Sequence, residues 1–182
     1  MGQKYIFTGT ARSGKTTAAK EFGKYIKGTF LDVLEYVVPY LRAREETRFP
    51  SGARGLTLMN RDPLPYNLLK KAYQDLQRDL ERGKPWDILE IASDWPEEFL
   101  PWMVRPLKGP VVLIFLDCPV QVCLARNRHT QRKVPEDTIK RQASFGLPFY
   151  RDLAKRLGLQ FYRLDTNRPI PAVWKELKAK FL

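Results

Sequence analysis

A nine-residue stretch near the N-terminus, from Gly9 to Thr17, has the residue types and spacing of a phosphate-binding loop. It reads GTARSGKTT and matches the pattern Gly-x-x-x-x-Gly-Lys-Thr at every specified position. Glycines let the backbone wrap around phosphate oxygens, and the N-terminus of a following helix adds partial positive charge. Lys15 would reach the β- and γ-phosphates, and the Thr16 hydroxyl would bind Mg²⁺. We predict that ATP binds here, through Gly9, Thr10, Ala11, Arg12, Ser13, Gly14, Lys15, Thr16 and Thr17.

Two carboxylates are placed to act on the bound phosphates. Asp32 ends the predicted second strand and Asp94 follows the predicted third strand, and in an open α/β sheet the carboxyl ends of strands face the ligand crevice. We predict Asp32 as the general base for an acceptor hydroxyl, with Glu35 one turn later as its substitute. Capping of the next helix is an equally good role for Asp32. Asp94 is the predicted Mg²⁺ carboxylate.

A basic segment, residues 126–135, connects two predicted helices after the fourth strand, and we call it the lid. Arg126, Arg128 and Arg132 are its candidate catalytic residues. In a phosphoryl-transfer enzyme such a segment closes over the nucleotide and sets guanidinium groups against the transferring phosphoryl. The alternative is a solvated basic turn. His129, the one histidine, has no neighbours in sequence that would form a relay or a metal cluster.

The elements that must position these residues alternate between strands and helices. Apolar runs predict strands over 4–8, 29–31, 86–92, 110–117 and 159–164. Helices are predicted over 14–26, 33–44, 67–82 and 97–107, then from Pro119, from Pro135 with a break at Gly146, and at the C-terminus. Together they predict one α/β domain, residues 1–182, with a five-stranded, doubly wound parallel sheet in three layers and a helical, arginine-rich lid.

Composition limits the possible partners and the cellular location of the protein. The formal net charge of +12 attracts polyanions, although a basic surface that serves solubility alone is an equal alternative. No apolar run has the roughly 18 residues of a membrane span, and no secretion signal precedes the loop. We therefore expect a cytoplasmic protein, in the host cytoplasm if phage-encoded. Cys118 and Cys123 have neither disulfide nor zinc spacing and are interpreted as small buried hydrophobic residues.

The sequence lacks the other parts of a GTPase switch. Such a protein needs a Gly shortly after the third-strand Asp and an Asn-Lys-x-Asp motif to read guanine, whereas Trp95 and Pro96 follow Asp94. A helicase or translocase motor needs a longer chain. The remaining classes are a small kinase, or an ATPase that uses hydrolysis to bind something.

Several segments resemble the P-loop kinases, and among them the phage-type polynucleotide 5′-hydroxyl kinases. They are GTARSGKTT, FLD, IASDWPEE, FLDCPVQVCLARN and KVPEDTIKR, in that family's order. The resemblance implies ATP and Mg²⁺ at Lys15 and Thr16, Asp32 as the base, a supporting Asp94 and a catalytic lid arginine. One departure concerns the acceptor: Glu35 and Tyr36 stand where the family has an arginine. The acceptor-binding candidates are Glu35, Arg42, Arg44 and Arg54.

Our leading hypothesis is an ATP-dependent kinase that acts on a hydroxyl of nucleic acid, with DNA favoured over RNA. The acceptor is a 5′-hydroxyl or a hydroxymethyl group on a modified base, and the oligomeric state is open. The alternative is a nucleotide or nucleoside kinase, because YRDLAKRLGLQFYRLDTNRPI is similar to a stretch of thymidylate kinases. The second alternative is a nucleic-acid-binding ATPase.

Overall fold

The computed structural model describes residues 2–48, 66–91, 95–107, 109–130 and 134–182. A five-stranded sheet forms the centre, with every neighbouring pair of strands parallel and the strands in the order β2-β3-β1-β4-β5. The predicted fold class is confirmed. The strands are β1 (Lys4–Gly9), β2 (Phe30–Asp32), β3 (Ile88–Glu90), β4 (Val111–Asp117) and β5 (Gln160–Asp165).

Helices cover both faces of the sheet, which makes three layers. Alternate residues of β1 point to opposite faces: Tyr5 and Phe7 pack toward the first and the last helix, whereas Ile6 packs toward three other helices. Parallel strands buried on both faces have continuous apolar sequences, as in β4. The helices are α1 (Lys15–Ile26), α2 (Leu34–Arg48), α3 (Tyr66–Glu81), α4 (Pro96–Val104), α5 (Val120–Arg128), α6 (Glu136–Arg156) and α7 (Ile170–Phe181).

The third strand is shorter than its sequence predicted. The prediction was 86–92, but β3 spans only Ile88–Glu90, the three residues that pair with β1 on one side and with β2 on the other. The strand therefore ends on Glu90 rather than near Asp94. The Glu90 carboxylate lies at the carboxyl end of the strands, which we call the ligand edge of the sheet. Residues 92–94 lie outside the described residues.

Other element boundaries shift by a few residues. The predicted break in α6 is confirmed, because Gly146 has φ of 60° and ψ of −178° and divides the helix into two segments. Most of the predicted basic loop from Arg48 lies outside the described residues, and α2 continues to Arg48. Both cysteines are free and buried, as interpreted. In the described part of the chain, no helix combines the length and apolar character needed to cross a membrane.

Candidate active site

The phosphate-binding loop joins the end of β1 to the start of α1. Gly9 has φ of 140° and Gly14 has φ of 97°, both in the region that favours glycine. A Cβ on Gly9 would lie 2.7 Å from the Leu116 carbonyl oxygen on the neighbouring strand, so only glycine fits this close approach. The N–H of Ser13 donates to the Thr10 carbonyl over 3.1 Å and closes the turn. The sequence motif thus has its expected strand-loop-helix setting.

Lys15 lies inside this loop rather than on its surface. The side chain is 5% exposed, and its Nζ donates to the Thr10 carbonyl over 2.7 Å. Burial lowers the pKa of Lys15 from its usual 10.5 to about 8, and the nearby Glu90 carboxylate partly opposes this effect. A phosphate anion in the loop would favour the charged ammonium, so the lysine is suited to bind one.

Glu90, which the sequence analysis did not assign to the site, is its central carboxylate. The Thr16 hydroxyl donates to Glu90 Oε1 over 2.8 Å, and Glu90 is 7% exposed at the end of β3. Burial raises the pKa of Glu90, and the Asp32 carboxylate adds to the increase while Lys15 reduces it. Carboxylates are rarely buried without a partner, so this one charged residue in the run ILEIA was a usable signal.

Asp32 lies directly beside Glu90 across the sheet. The two residues are paired in the register of β2 and β3, so their backbones are roughly 5 Å apart. Asp32 Oδ1 accepts a hydrogen bond from the Leu34 N–H over 2.9 Å, which caps the start of α2. The capping role and the role of base are compatible, because the cap uses one carboxylate oxygen and leaves Oδ2 for an acceptor.

The oxygen donors at this edge fit a magnesium ion. Glu90 Oε2 is buried and has no hydrogen-bond partner among the described residues, and the Thr16 hydroxyl lies against the other oxygen of the same carboxylate. No group of three or more His, Cys, Asp or Glu side chains that could hold a metal ion by itself occurs within the described ranges. Mg²⁺ at such sites usually has only one or two ligands from the protein, because phosphates and waters supply its remaining ligands. Asp94, the predicted metal ligand, lies outside the described residues.

Arg126 of the lid contacts backbone carbonyl groups of the phosphate-binding loop. One guanidinium nitrogen, Nη1, lies 3.4 Å from each of the Arg12 and Ser13 carbonyl oxygens and 3.4 Å from Cys118 Sγ. The other, Nη2, donates to the Thr166 carbonyl over 2.8 Å. Arg126 therefore joins the loop to the β5–α7 connection.

The remaining lid arginines differ in position. Arg128 is exposed at the last position of α5, and Arg132 lies outside the described residues. The lid connects α5 to α6, whose first residue is Glu136. Which arginine contacts a transferring phosphate stays a prediction.

The predicted acceptor-binding residues are spread along α2 or lie outside the described residues. Glu35 and Arg42 are exposed on α2, and Arg42 is eight residues past the start of the helix, roughly 12 Å along its axis. The side chain of Arg44 and all of Arg54 lie outside the described residues. Tyr36 is held against α3, because its hydroxyl donates to an aspartate of that helix over 2.8 Å.

An aromatic side chain, Trp95, follows β3 at the same edge and was not predicted as a site residue. Its ring meets the Tyr66 ring edge-on at 5.1 Å between centroids. The Arg141 guanidinium carbon lies 5.7 Å from the centroid of the Trp95 ring. Arg141 directly precedes Gln142, whose side chain accepts a hydrogen bond from the phosphate-binding loop.

The parallel five-stranded sheet, its flanking helices and the phosphate-binding loop give this chain a fold that several solved kinases share. A gluconokinase from Sinorhizobium meliloti 1021 superposes with a TM-score of 0.65 at 13% identity, over 97% of this chain and 90% of that one. A shikimate kinase from Acinetobacter baumannii, in complex with shikimate, gives 0.62 at 15% identity over 97% and 92%. A deoxyadenosine kinase from M. mycoides, with dCMP and dCDP bound, gives 0.60 at 12% identity over 98% of each chain.

These identities show the fold alone. No protein-family model matches the sequence, and no curated protein does. The predicted resemblance to P-loop kinases is confirmed at the level of the fold, and the polynucleotide kinase subtype stays a prediction.

Proposed function

We propose that the protein is an ATP- and Mg²⁺-dependent kinase that phosphorylates a hydroxyl group of a nucleoside or nucleotide. One observation carries this proposal: Thr16 of the phosphate-binding loop is hydrogen-bonded to Glu90 over 2.8 Å, directly beside Asp32. A phosphate loop, a metal-binding pair of oxygens and a second carboxylate thus meet at one edge of the sheet. Phosphoryl transfer to an alcohol requires these three groups.

Each group has a defined part in the transfer. The backbone N–H groups of the loop and the Lys15 ammonium hold the β- and γ-phosphates. Thr16 and Glu90 would hold Mg²⁺, which neutralises charge on the phosphates when bound. Asp32 Oδ2 accepts the proton of the acceptor hydroxyl while the oxygen of that hydroxyl forms a bond to the γ-phosphorus. The bond between that phosphorus and the β–γ bridging oxygen breaks, and ADP leaves.

The surroundings of Trp95 support a planar, anionic acceptor. An indole ring offers a flat apolar surface on which a nucleobase stacks, and base stacking on aromatic side chains is worth about 1–3 kcal/mol. The Arg141 guanidinium, 5.7 Å from that ring, offers a positive charge for a phosphate. Nucleosides and nucleotides combine these features. The deoxyadenosine kinase with dCMP and dCDP bound covers 98% of this chain, which is consistent with such an acceptor.

A hydroxyl of DNA or RNA is the second candidate acceptor, and the charge of the chain favours it. The net charge of +12 would attract a polyanion, and phosphate contacts by Lys and Arg carry most non-specific affinity for nucleic acid. Arg42 is an exposed basic residue on α2, the helix that follows Asp32. Binding of a polymer would weaken steeply with added salt, whereas binding of a monomer would not.

An acceptor screen with γ-labelled ATP separates the candidates. The arms are nucleosides, nucleoside monophosphates, 5′-hydroxyl DNA and RNA, DNA with hydroxymethylated bases, gluconate and shikimate. We expect label on a nucleoside or nucleotide. Label on a polymer alone would favour the second candidate. Label found only in inorganic phosphate, the product of hydrolysis, would refute a kinase.

Replacement of Asp32 by Asn tests the base. We expect kcat to fall by about 100-fold or more, since general base catalysis contributes roughly 10²–10⁴-fold, while ATP affinity is retained. The matched control is Asp152→Asn, an exposed aspartate on α6. Near-normal turnover in Asp32→Asn would show that another group takes the proton.

A further inference from the structure

Two buried amide side chains that the sequence analysis did not assign to the site contact the first half of the phosphate-binding loop. Gln142 of α6 is 8% exposed, and its Oε1 accepts a hydrogen bond from the Ala11 N–H over 2.7 Å. Asn127 of α5 is 4% exposed, and its Oδ1 accepts one from Arg12 Nε over 3.0 Å. Buried polar side chains normally have such partners, but here the partners belong to the loop that would hold ATP.

This half of the loop depends on support from outside. Arg12 has φ of 70°, in the left-handed region, which is unfavourable for a residue with a Cβ. Such conformations persist where surrounding contacts hold them. The amides supply these contacts, because Asn127 binds the Arg12 side chain and Gln142 binds the preceding N–H.

Asn127 also joins the loop to the chain that leads into α6. Its Oδ1 accepts a second hydrogen bond from the Val134 N–H over 2.9 Å, and its Nδ2 donates to the Val134 carbonyl over 2.8 Å. An apolar side chain at this position would remove all of these bonds. Aspartate would keep the acceptor oxygen for Arg12 and Val134 and lose the donor, and its negative charge would lie beside the Arg12 guanidinium.

We propose that Gln142 and Asn127 are positioning residues for ATP. They hold Ala11 and Arg12 in place, so that the N–H groups from Gly14 onward can converge on the phosphates. The inference rests on the ATP-binding part of the proposed function and is independent of the acceptor. Loss of either amide therefore weakens nucleotide binding without any change in acceptor recognition.

Calorimetric titration with ATP and Mg²⁺ tests the first residue. Gln142→Met is close to isosteric but leaves the Ala11 N–H without its acceptor, so we expect the Kd for ATP to rise about tenfold or more. The control is Gln77→Met, which makes the same change on the exposed face of α3 and should leave the Kd unchanged. The thermal midpoint without ATP is measured for both, and the increase in that midpoint on adding ATP should shrink in Gln142→Met alone.

A pair of variants at Asn127 provides the second test, which stands even if Gln142→Met fails to fold. Asn127→Leu should lose about tenfold or more in ATP affinity, whereas Asn127→Asp should stay within about threefold of wild type. ATP affinity unchanged in Gln142→Met and Asn127→Leu would refute this inference alone. Equal losses in Asn127→Leu and Asn127→Asp would also refute it. Wild-type protein that binds no ATP would refute the proposed function as well.

Discussion

Replacement of Lys15 by methionine should remove ATP binding and also change how stability depends on pH. Lys15 is 5% exposed, and its one hydrogen bond among the described residues is to the Thr10 carbonyl. Burial lowers its pKa from 10.5 to about 8. The folded protein therefore disfavours the ammonium form, which the unfolded chain keeps to a much higher pH.

The size and sign of the effect follow from these two pKa values. A fall from 10.5 to about 8, at about 1.4 kcal/mol for each pH unit, corresponds to about 3 kcal/mol. Below pH 8 both states carry the proton, and the folded state of the wild type is destabilised by the full amount. Between about pH 8 and 10.5 the unfolded state binds more protons, so the free energy of unfolding increases with pH. Lys15→Met lacks this group and this increase.

Urea unfolding of both proteins between about pH 7 and 10.5 measures the difference. The unfolding free energy of the wild type, minus that of Lys15→Met, should increase by about 3 kcal/mol over this range. The lost hydrogen bond to Thr10 shifts every value equally, and titrations common to both proteins cancel. Lys24→Met, at an exposed position of the same helix, should show no such increase and should still bind ATP. A pH-independent difference between wild type and Lys15→Met would refute the assignment of a buried, titrating lysine.

Three further changes test other parts of the site. Glu90→Gln should abolish Mg²⁺-dependent turnover, which steady-state kinetics measures. In the wild type, Mg²⁺ affinity should increase with pH, because the raised pKa of Glu90 makes protons compete with the metal, and Glu90→Gln should lack this increase. Titration with Mg²⁺ at several pH values measures the affinities. Gly9→Ala should destabilise the fold by about 1–3 kcal/mol and lose ATP binding, since φ is 140° and the new Cβ would lie 2.7 Å from the Leu116 carbonyl oxygen; urea unfolding and calorimetry report these effects. Trp95→Ala should raise the KM of the acceptor about tenfold while the KM of ATP changes little, in steady-state kinetics.

Each of these changes has a matched control on the described surface. Glu21→Gln removes an exposed carboxylate of α1, Gly2→Ala adds a Cβ where no atom lies within 4 Å, and Trp174→Ala removes an indole from α7. Mg²⁺ affinity that is unaffected by Glu90→Gln would exclude this residue as a ligand. A stable, ATP-binding Gly9→Ala would contradict the close approach at β4. A higher KM for ATP than for the acceptor in Trp95→Ala would move that ring to the nucleotide side.

The sheet and the phosphate-binding loop could be predicted because their signals are local. Glycine and lysine spacing determines the loop, and a buried parallel strand such as β4 appears as an unbroken apolar run. The end of β3 could not be predicted in this way, because the run WDILEIAS continues beyond it. The strand consists of the three residues that pair with both β1 and β2, and these pairings join residues far apart in the sequence.

The same reason explains which site residues were missed. Lys15, Thr16 and Asp32 belong to motifs or strand ends, so sequence reasoning placed them at the site. Gln142 lies 131 residues from Ala11, the loop residue that it binds, and no motif marks it. Its role depends on how α6 packs against the sheet, which a single sequence does not reveal.

The site is arranged at a cost to the stability of the fold, and this cost points to its ligand. Ser13 Oγ and Glu90 Oε2 are both buried and lack hydrogen-bond partners among the described residues, and an unpaired buried polar atom costs about 1–3 kcal/mol. Burial also opposes both charges, because it lowers the pKa of Lys15 and raises the pKa of Glu90. An anion beside Lys15 favours the ammonium form and so opposes the first shift, whereas a cation at Glu90 favours the carboxylate form and opposes the second. A magnesium–nucleotide complex carries both charges in adjacent positions, so its binding relieves both costs together.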